Sequence, residues 1–237
     1  HYLNQADLSV IAFDQRGHGL SQGRQGVLNC YNSLQSDLAS MLHFSRQLFP
    51  TLPQSIYGHS MGGGLVLRYL GKHGQDAHVQ ALNQVVITSP WLKLVATPPM
   101  LLTVTASVVS RVFPKWTLDL GHKIKPNPDR DPLVDPMCHS RISPRWFMSA
   151  QSAGKQSLNQ ANKFPQTLAP RVHIFHSTED TLTDARASNE FARIARCQFT
   201  PLANFGHGPH ITRQRARFFD IVTTPLLPAA TCSSGFN

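Results

Sequence analysis

Residues 55 to 70 read Ser55-Ile56-Tyr57-Gly58-His59-Ser60-Met61-Gly62-Gly63-Gly64-Leu65-Val66-Leu67-Arg68-Tyr69-Leu70. A short apolar run (Ser55, Ile56, Tyr57) meets Gly58-His59-Ser60-Met61-Gly62, and beyond Gly64 the apolar residues continue at spacings that suit a mostly buried helix. The pattern is strand, tight turn, helix. A serine at such a turn is held in a strained backbone conformation, and the positions two residues to either side must lack side chains so that strand and helix can approach. Gly58 and Gly62 are expected to meet that need around His59, Ser60 and Met61. The turn would lift the Ser60 hydroxyl above the sheet edge and leave the Met61 N–H at the start of a helix, where a developing oxyanion is stabilised.

Upstream, Leu8 to Phe13 is almost continuously apolar and reads as a strand buried on both faces. The loop Asp14-Gln15-Arg16-Gly17-His18-Gly19-Leu20-Ser21-Gln22-Gly23 follows, with His18 read as a hydrogen-bonded structural histidine. Leu34, Leu38, Met41, Leu42, Ser45 and Leu48 recur at three- and four-residue steps, so a helix is expected over Ser33 to Phe49, closed by Pro50 and Pro53. Downstream, Gln84 to Ser89 is another buried-strand run. The resulting βαβαβ order predicts an α/β fold, a mostly parallel sheet with helices on both faces and a site at the carboxyl ends of the strands.

From Trp91 to Thr167 the pattern changes: an apolar segment (Pro98 to Phe113), a Pro- and Arg-rich stretch, then a helical segment from Pro144 to Ala161. No strand is expected there. A stretch of this length between strands reads as an inserted helical cap, and its apolar residues could line an acyl pocket or form the cap's own core. The sheet resumes at Arg171 to His176, a helix is expected from Asp184 to Ala195, a last strand from Cys197 to Leu202 and a closing helix from Thr212 to Val222. The organisation expected is therefore a core of residues 1–90 and 168–222, a cap of residues 91–167 and a disordered tail of residues 223–237.

The chain has 237 residues, 41% of them hydrophobic, which is enough for one full core. An excess of 22 Lys+Arg over 13 Asp+Glu gives +9, but the basic residues do not cluster and nucleic acid is not an expected partner. Its four cysteines lack C-x-x-C spacing and are expected to be free thiols. No apolar run reaches the length of roughly 18 residues that a membrane span needs.

A serine hydroxyl is a weak nucleophile unless a histidine takes its proton, and that histidine needs a carboxylate to hold its tautomer. Asp180 lies just past a strand end and His207 lies in a Gly-flanked loop past the next strand. The order Ser60, Asp180, His207 is that of an α/β-hydrolase. Glu179 and Asp184 are rivals of Asp180, with Asp184 better placed to cap the following helix; His210 is the rival of His207. No cofactor is expected, and His207 and His210 lack a third residue at metal-ligand spacing, so no metal is expected either.

On these stretches, Asp14 to Gly23, Gly58 to Gly63, Ser89-Pro90, Asp131-Pro132, Ser177 to Asp180 and Gly206-His207, the chain resembles the monoglyceride lipase and lysophospholipase family of serine α/β-hydrolases, the serine aminopeptidase-like group. The resemblance covers most of the chain. It implies Ser60 as nucleophile, Asp180 as orienting acid, His207 as general base, Met61 N–H as an oxyanion donor, and hydrolysis of single-chain lipid esters of the monoacylglycerol or lysophospholipid type under a cap. The segment Pro98 to Phe113 is apolar around more of its circumference than one buried face requires, so with the basic balance a peripheral membrane contact through the cap is expected, and a cytoplasmic or membrane-surface setting is favoured. Two departures stand out. Ser177 occupies a position where the family usually has glycine, and the strand ending in His-Gly that carries a second oxyanion N–H is absent ahead of Leu8. That absence leads to the expectation that the sequence is a piece of a longer product, with the sheet opened between the Leu8 to Phe13 and Ser55 to Tyr57 strands. The competing readings are a small-ester or peptide hydrolase of the same fold and a non-catalytic protein with an incomplete oxyanion hole.

Overall fold

Four short β-branched or aromatic runs form the sheet, and the helices between them are those whose apolar residues recur at three- and four-residue steps. The computed structural model describes residues 2–96, 99–119, 137 and 139–227, with the backbone alone for 100–104. In chain order the elements are α1 (Tyr2–Gln5), α2 (Tyr31–Leu48), β1 (Ile56–His59), α3 (Met61–His73), α4 (Ala77–Gln80), β2 (Val85–Thr88), α5 (Met100–Val112), β3 (Leu118–Asp119), β4 (Arg141–Ile142), α6 (Pro144–Asn159), β5 (Val172–Ser177), α7 (Ala185–Ala195), β6 (Gln198–Leu202) and α8 (Arg215–Thr223).

Strands β1, β2, β5 and β6 form one parallel sheet in that spatial order. Ile56 pairs with Val85, Val85 with Val172 and Ile174 with Phe199. Alternation along the strands divides the core. Val85, Ile87, Val172 and Ile174 pack with Leu38, Leu65, Leu67 and Phe191 from α2, α3 and α7 on one face. Val86 and Phe175 pack on the other face with Phe205, Phe218 and Val222, the last two from α8. Burial on both faces is what a parallel strand requires, and every residue of β2 is buried.

Helix starts follow local chemistry. The Ser143 hydroxyl accepts from the Trp146 N–H at 3.2 Å with Pro144 at the first helical position, which opens α6. Asp184 accepts from the Arg186 N–H at 3.0 Å and opens α7. Among the described residues Cys30 and Cys197 are free thiols, and burial pushes Cys197 up to about 12.

Three expectations are corrected. Leu8 to Phe13 is not a strand: it runs as irregular chain, with Val10 and Phe13 exposed. A strand persists only where a neighbour takes its N–H and C=O groups, and here a cavity of about 980 Å³ lies between this segment and β1, lined by both. Secondly, residues 91–167 contain strands, since Leu118 pairs with Ile142 and Asp119 with Arg141 in a two-residue antiparallel ladder. Within the same stretch, α6 packs against α3 and α7, with Arg68 of α3 hydrogen-bonded to Gln156 and Gln160 at 2.7 Å each. Thirdly, residues 223–227 are ordered, because Thr223 closes α8 and Thr224–Leu226 forms a 3₁₀ turn. Residues 228–237, Cys138, Cys232 and Asp131-Pro132 lie outside the described residues.

The register of β1 has a measurable consequence. Ile56 N–H donates to Gln84 and Ser60 N–H to Thr88, at 3.0 and 2.9 Å, so Tyr57 and His59, which alternate with them, turn their main-chain groups the other way, toward the cavity. The amides of Tyr57 and His59 are expected to exchange with deuterium roughly a hundredfold or more faster than those of Val86 and Ile87, which lie between two paired strands. Equal protection in a residue-resolved exchange experiment would overturn this topology.

Candidate active site

The site is assembled where β1, β5 and β6 release their loops at the carboxyl edge of the sheet. Ser60 has φ 52° and ψ −119°, a left-handed conformation that a side chain tolerates only when its surroundings compel it. The compulsion comes from the closeness of β1 and α3. A Cβ on Gly58 would lie 3.0 Å from the Gly62 carbonyl oxygen and from Gly63 Cα. The requirement for glycine on the helix side is one residue later than expected. Among the described residues outside its own helix turn, a Cβ on Gly62 would meet Gln15 Nε2 at an ordinary 3.9 Å, whereas a Cβ on Gly63 would meet the Gly58 oxygen and Ile87 Cγ2 at 3.1 Å. The turn is anchored by its own carbonyl: Ser60 C=O accepts from Gly64 N–H at 3.0 Å and Trp91 N–H at 2.8 Å.

Ser60, Asp180 and His207 come together. His207 Nε2 lies 2.8 Å from Ser60 Oγ, and its Nδ1 lies 2.7 Å from Asp180 Oδ2. The carboxylate only accepts, so Nδ1 carries the proton and Nε2 faces the hydroxyl as an acceptor. Asp180 is held by the loop that contains it: Oδ1 accepts from the Leu182 and Thr183 N–H groups at 2.8 and 2.9 Å, and Oδ2 accepts from Thr183 Oγ1 at 2.8 Å. Burial by itself would raise this carboxyl. Hydrogen bonds from His176 and His207, the charge interaction with His207 and the Thr183 amide outweigh it and hold Asp180 far below the usual carboxylate range.

The rivals are placed elsewhere. Glu179 is exposed. Asp184 caps α7 and pairs with Lys93 at 3.3 Å. His210 packs edge-on against the His59 ring at 4.4 Å. His18 stacks on His139 at 4.6 Å, and burial followed by the neighbouring His139 lowers it. Among the described residues no group of three or more His, Cys, Asp or Glu side chains is arranged to hold a metal ion.

The motif alone did not reveal the surroundings of His59. Its ring lies 5.1 Å from His207 and 4.4 Å from His210, and Nδ1 is 2.9 Å from Thr88 Oγ1, which also meets the Tyr57 hydroxyl at 3.0 Å. Burial and then the two neighbouring histidines push His59 down to about 2, while burial pushes Tyr57 up to about 12. A neutral imidazole beside His207 adds no competing positive charge. Thr183 was also not singled out by the sequence, although its threonine at the third position after Asp180 is a recognisable local side-chain-to-backbone pattern.

With this geometry in place, comparison with known proteins becomes informative. The model of a family described as Hydrolase_4, serine aminopeptidase, S33, matches residues 1–212. The chain belongs to this family. A putative monoglyceride lipase of Schizosaccharomyces pombe is 30% identical over 227 residues, 90% of this chain and 57% of that protein. A monoacylglycerol lipase of Mycolicibacterium smegmatis is 26% identical over 189 residues, 77% of this chain and 64% of that protein. The chain thus spans about three fifths of the length of these relatives. Among solved structures, a monoacylglycerol lipase from Paleococcus ferrophilus superposes with a TM-score of 0.76 at 23% identity, covering 94% of this chain and 85% of that one. A soluble variant of monoglyceride lipase from Saccharomyces cerevisiae, in complex with a substrate analog, superposes with a TM-score of 0.67 at 22% identity, covering 88% and 73%. The family member described here has the α/β-hydrolase fold.

The depressed His59 makes stability depend on pH with a definite sign. Folding favours its neutral form, so the unfolded chain binds the extra proton, and stability is lost as pH falls below the ordinary value of 6.5 toward about 2. Asp180 acts with its depressed carboxyl only below the ordinary carboxylate value of 3.8, which separates the two windows. One full proton of linkage between pH 6.5 and pH 5 corresponds to about 2 kcal/mol as a ceiling. His59→Gln is expected to flatten the fall in urea-unfolding free energy over that interval, and an unchanged slope would refute the assignment.

Proposed function

We propose that the protein is a serine carboxylic-ester hydrolase acting on single-chain lipid esters of the monoacylglycerol or lysophospholipid type. The observation that carries the reading is the connected line Ser60 Oγ, His207 Nε2, His207 Nδ1, Asp180 Oδ2, with steps of 2.8 and 2.7 Å. In this reading Ser60 Oγ attacks the ester carbonyl carbon while its proton passes to His207 Nε2. Asp180 holds the Nδ1–H and stabilises the imidazolium, and the carbonyl electrons move onto an oxyanion that meets the Met61 N–H at the start of α3. The tetrahedral species collapses, the alcohol leaves with the proton from His207, and an acyl group remains on Ser60. A water deprotonated by His207 then releases the fatty acid and restores the serine.

Rapid covalent labelling by a fluorophosphonate probe is expected for the protein and loss of that labelling for Ser60→Ala, with a loss of several orders of magnitude in ester turnover. Equal labelling of the two proteins would remove Ser60 from the nucleophile role.

The substrate class rests on the relatives' names and on apolar surface. The S. pombe and M. smegmatis relatives are named as monoglyceride and monoacylglycerol lipases. In α5 and just beyond it, Val108, Val112, Phe113 and Trp116 are each at least half exposed, and Val108 and Val112 share a helix face. We read this strip as the part of the cap that meets a lipid surface, aided by the +9 charge. Among the described residues no helix is long and apolar enough to cross a membrane. Each methylene removed from water contributes about 0.8 kcal/mol, so four buried methylenes favour a longer acyl chain by roughly 3 kcal/mol, about a hundredfold in binding. Decanoyl esters are expected to be cleaved with much higher kcat/KM than acetyl esters below their micellar concentrations. Val108→Asp with Val112→Asp is expected to reduce only the extra rate seen on anionic vesicles. Equal or faster acetyl turnover would favour a small-ester hydrolase, and aminoacyl-amide cleavage in its place would favour a peptidase.

A further inference from the structure

One buried titratable side chain next to the triad has no part in the steps above. His176 sits near the end of β5 with none of its surface exposed. Its Nε2 is 3.2 Å from the Thr183 carbonyl oxygen and 3.3 Å from Asp180 Oδ2. Both of these oxygens can only accept, so Nε2 must carry a proton. Its Nδ1 is 2.8 Å from Ser188 Oγ on α7, a hydroxyl able to donate. The ring thus has a partner at each nitrogen, and the Nε2–H lies between the Thr183 carbonyl and the carboxylate.

We propose that His176 is a positioning residue for Asp180, fixing from β5 and α7 the carboxylate oxygen that faces His207. The proposal rests on the triad reading given above. Apart from His207, the other bonds to Asp180 come from Leu182 and Thr183, neighbours in the same loop. His176 is itself a residue of strand β5, so its contact reaches the carboxylate directly from the sheet, and through Ser188 from a helix that packs on that sheet. A histidine buried only to fill space would cost desolvation that an apolar side chain avoids; here the third partner that completes its bonding is the triad carboxylate itself. The chemical consequence has a sign. An N–H on Oδ2 draws off part of the negative charge that would otherwise stabilise the His207 imidazolium. Removing it leaves a more loosely held but more strongly charged carboxylate. Protonation of His207 then competes at higher pH, and the misaligned base slows the chemical step more than it weakens binding. The other ionisable groups around His207 are His59 at the end of β1 and His210 in the 3₁₀ turn just beyond His207, while Asp184 pairs with Lys93 and Arg186 at the start of α7.

The test is the pH dependence of fluorophosphonate labelling at Ser60, resolved into binding and inactivation constants, for the protein and for His176→Leu, His176→Gln and Ser188→Ala. His176→Leu is expected to move the acidic limb upward by about half to one pH unit and to slow inactivation roughly tenfold with little change in binding. His176→Gln, which keeps a side-chain N–H, is expected to restore most of the rate. Ser188→Ala, which frees the tautomer without touching Asp180, is expected to move the limb in the same direction by a smaller amount. It also keeps the test decisive if His176→Leu does not fold. Variants that lower the melting temperature but leave the acidic limb in place would overturn the proposal and make His176 a core residue only. Continued labelling of Ser60→Ala would instead indict the triad, so the two failures are distinct.

Discussion

The chemistry of this chain depends on one contact distance, the approach of strand β1 to helix α3 across Gly58 and Gly63. A Cβ on either glycine would fall within 3.1 Å of the opposing backbone, closer than side chains ordinarily approach, so a larger residue would push the two elements apart. Ser60 is the single residue between the end of β1 and the start of α3, and it takes a left-handed conformation as the result. The strain is offset by the anchoring of the Ser60 carbonyl to Gly64 and Trp91. The same reversal puts the hydroxyl beyond the sheet edge and the first helical N–H groups beneath it.

Around that turn the electrostatics follow from burial. Asp180 is kept ionised by donors supplied from the loop, from β5 and from the loop after β6. His59 is kept neutral by burial and by the histidines on either side of it. Both groups are shifted downward, which leaves one charged and the other uncharged on either side of His207, the separation of charge on which the proposed mechanism rests.

Much of this was legible in the residues. The elbow, the order of Ser60, Asp180 and His207, and the parallel sheet all follow from local patterns of apolar period, glycine and strand-end polar residues. His176 was not legible, because a histidine at the end of the run Val172 to Ser177 differs in no local feature from one that faces solvent, whereas Thr183, three residues after Asp180, was legible as a local pattern and was passed over. The glycine requirement was read one position early for a similar reason: a motif counts residues, while the close contact depends on where the first turn of α3 lies over β1.

Composition and periodicity determined by themselves the four strands of the parallel sheet and the longer helices around it, since those signals express which residues can leave water together. The segment from Leu8 to Phe13 marks the limit of that information. It has the composition of a buried strand, yet it runs as irregular chain, facing β1 across a cavity of about 980 Å³. Whether an apolar run becomes a strand depends on a neighbour's N–H and C=O groups lying about 4.8 Å away. Only the tertiary structure decides that, and it likewise decides which of twelve histidines meets a serine and which meets a carboxylate, because those pairings join residues that are distant along the chain.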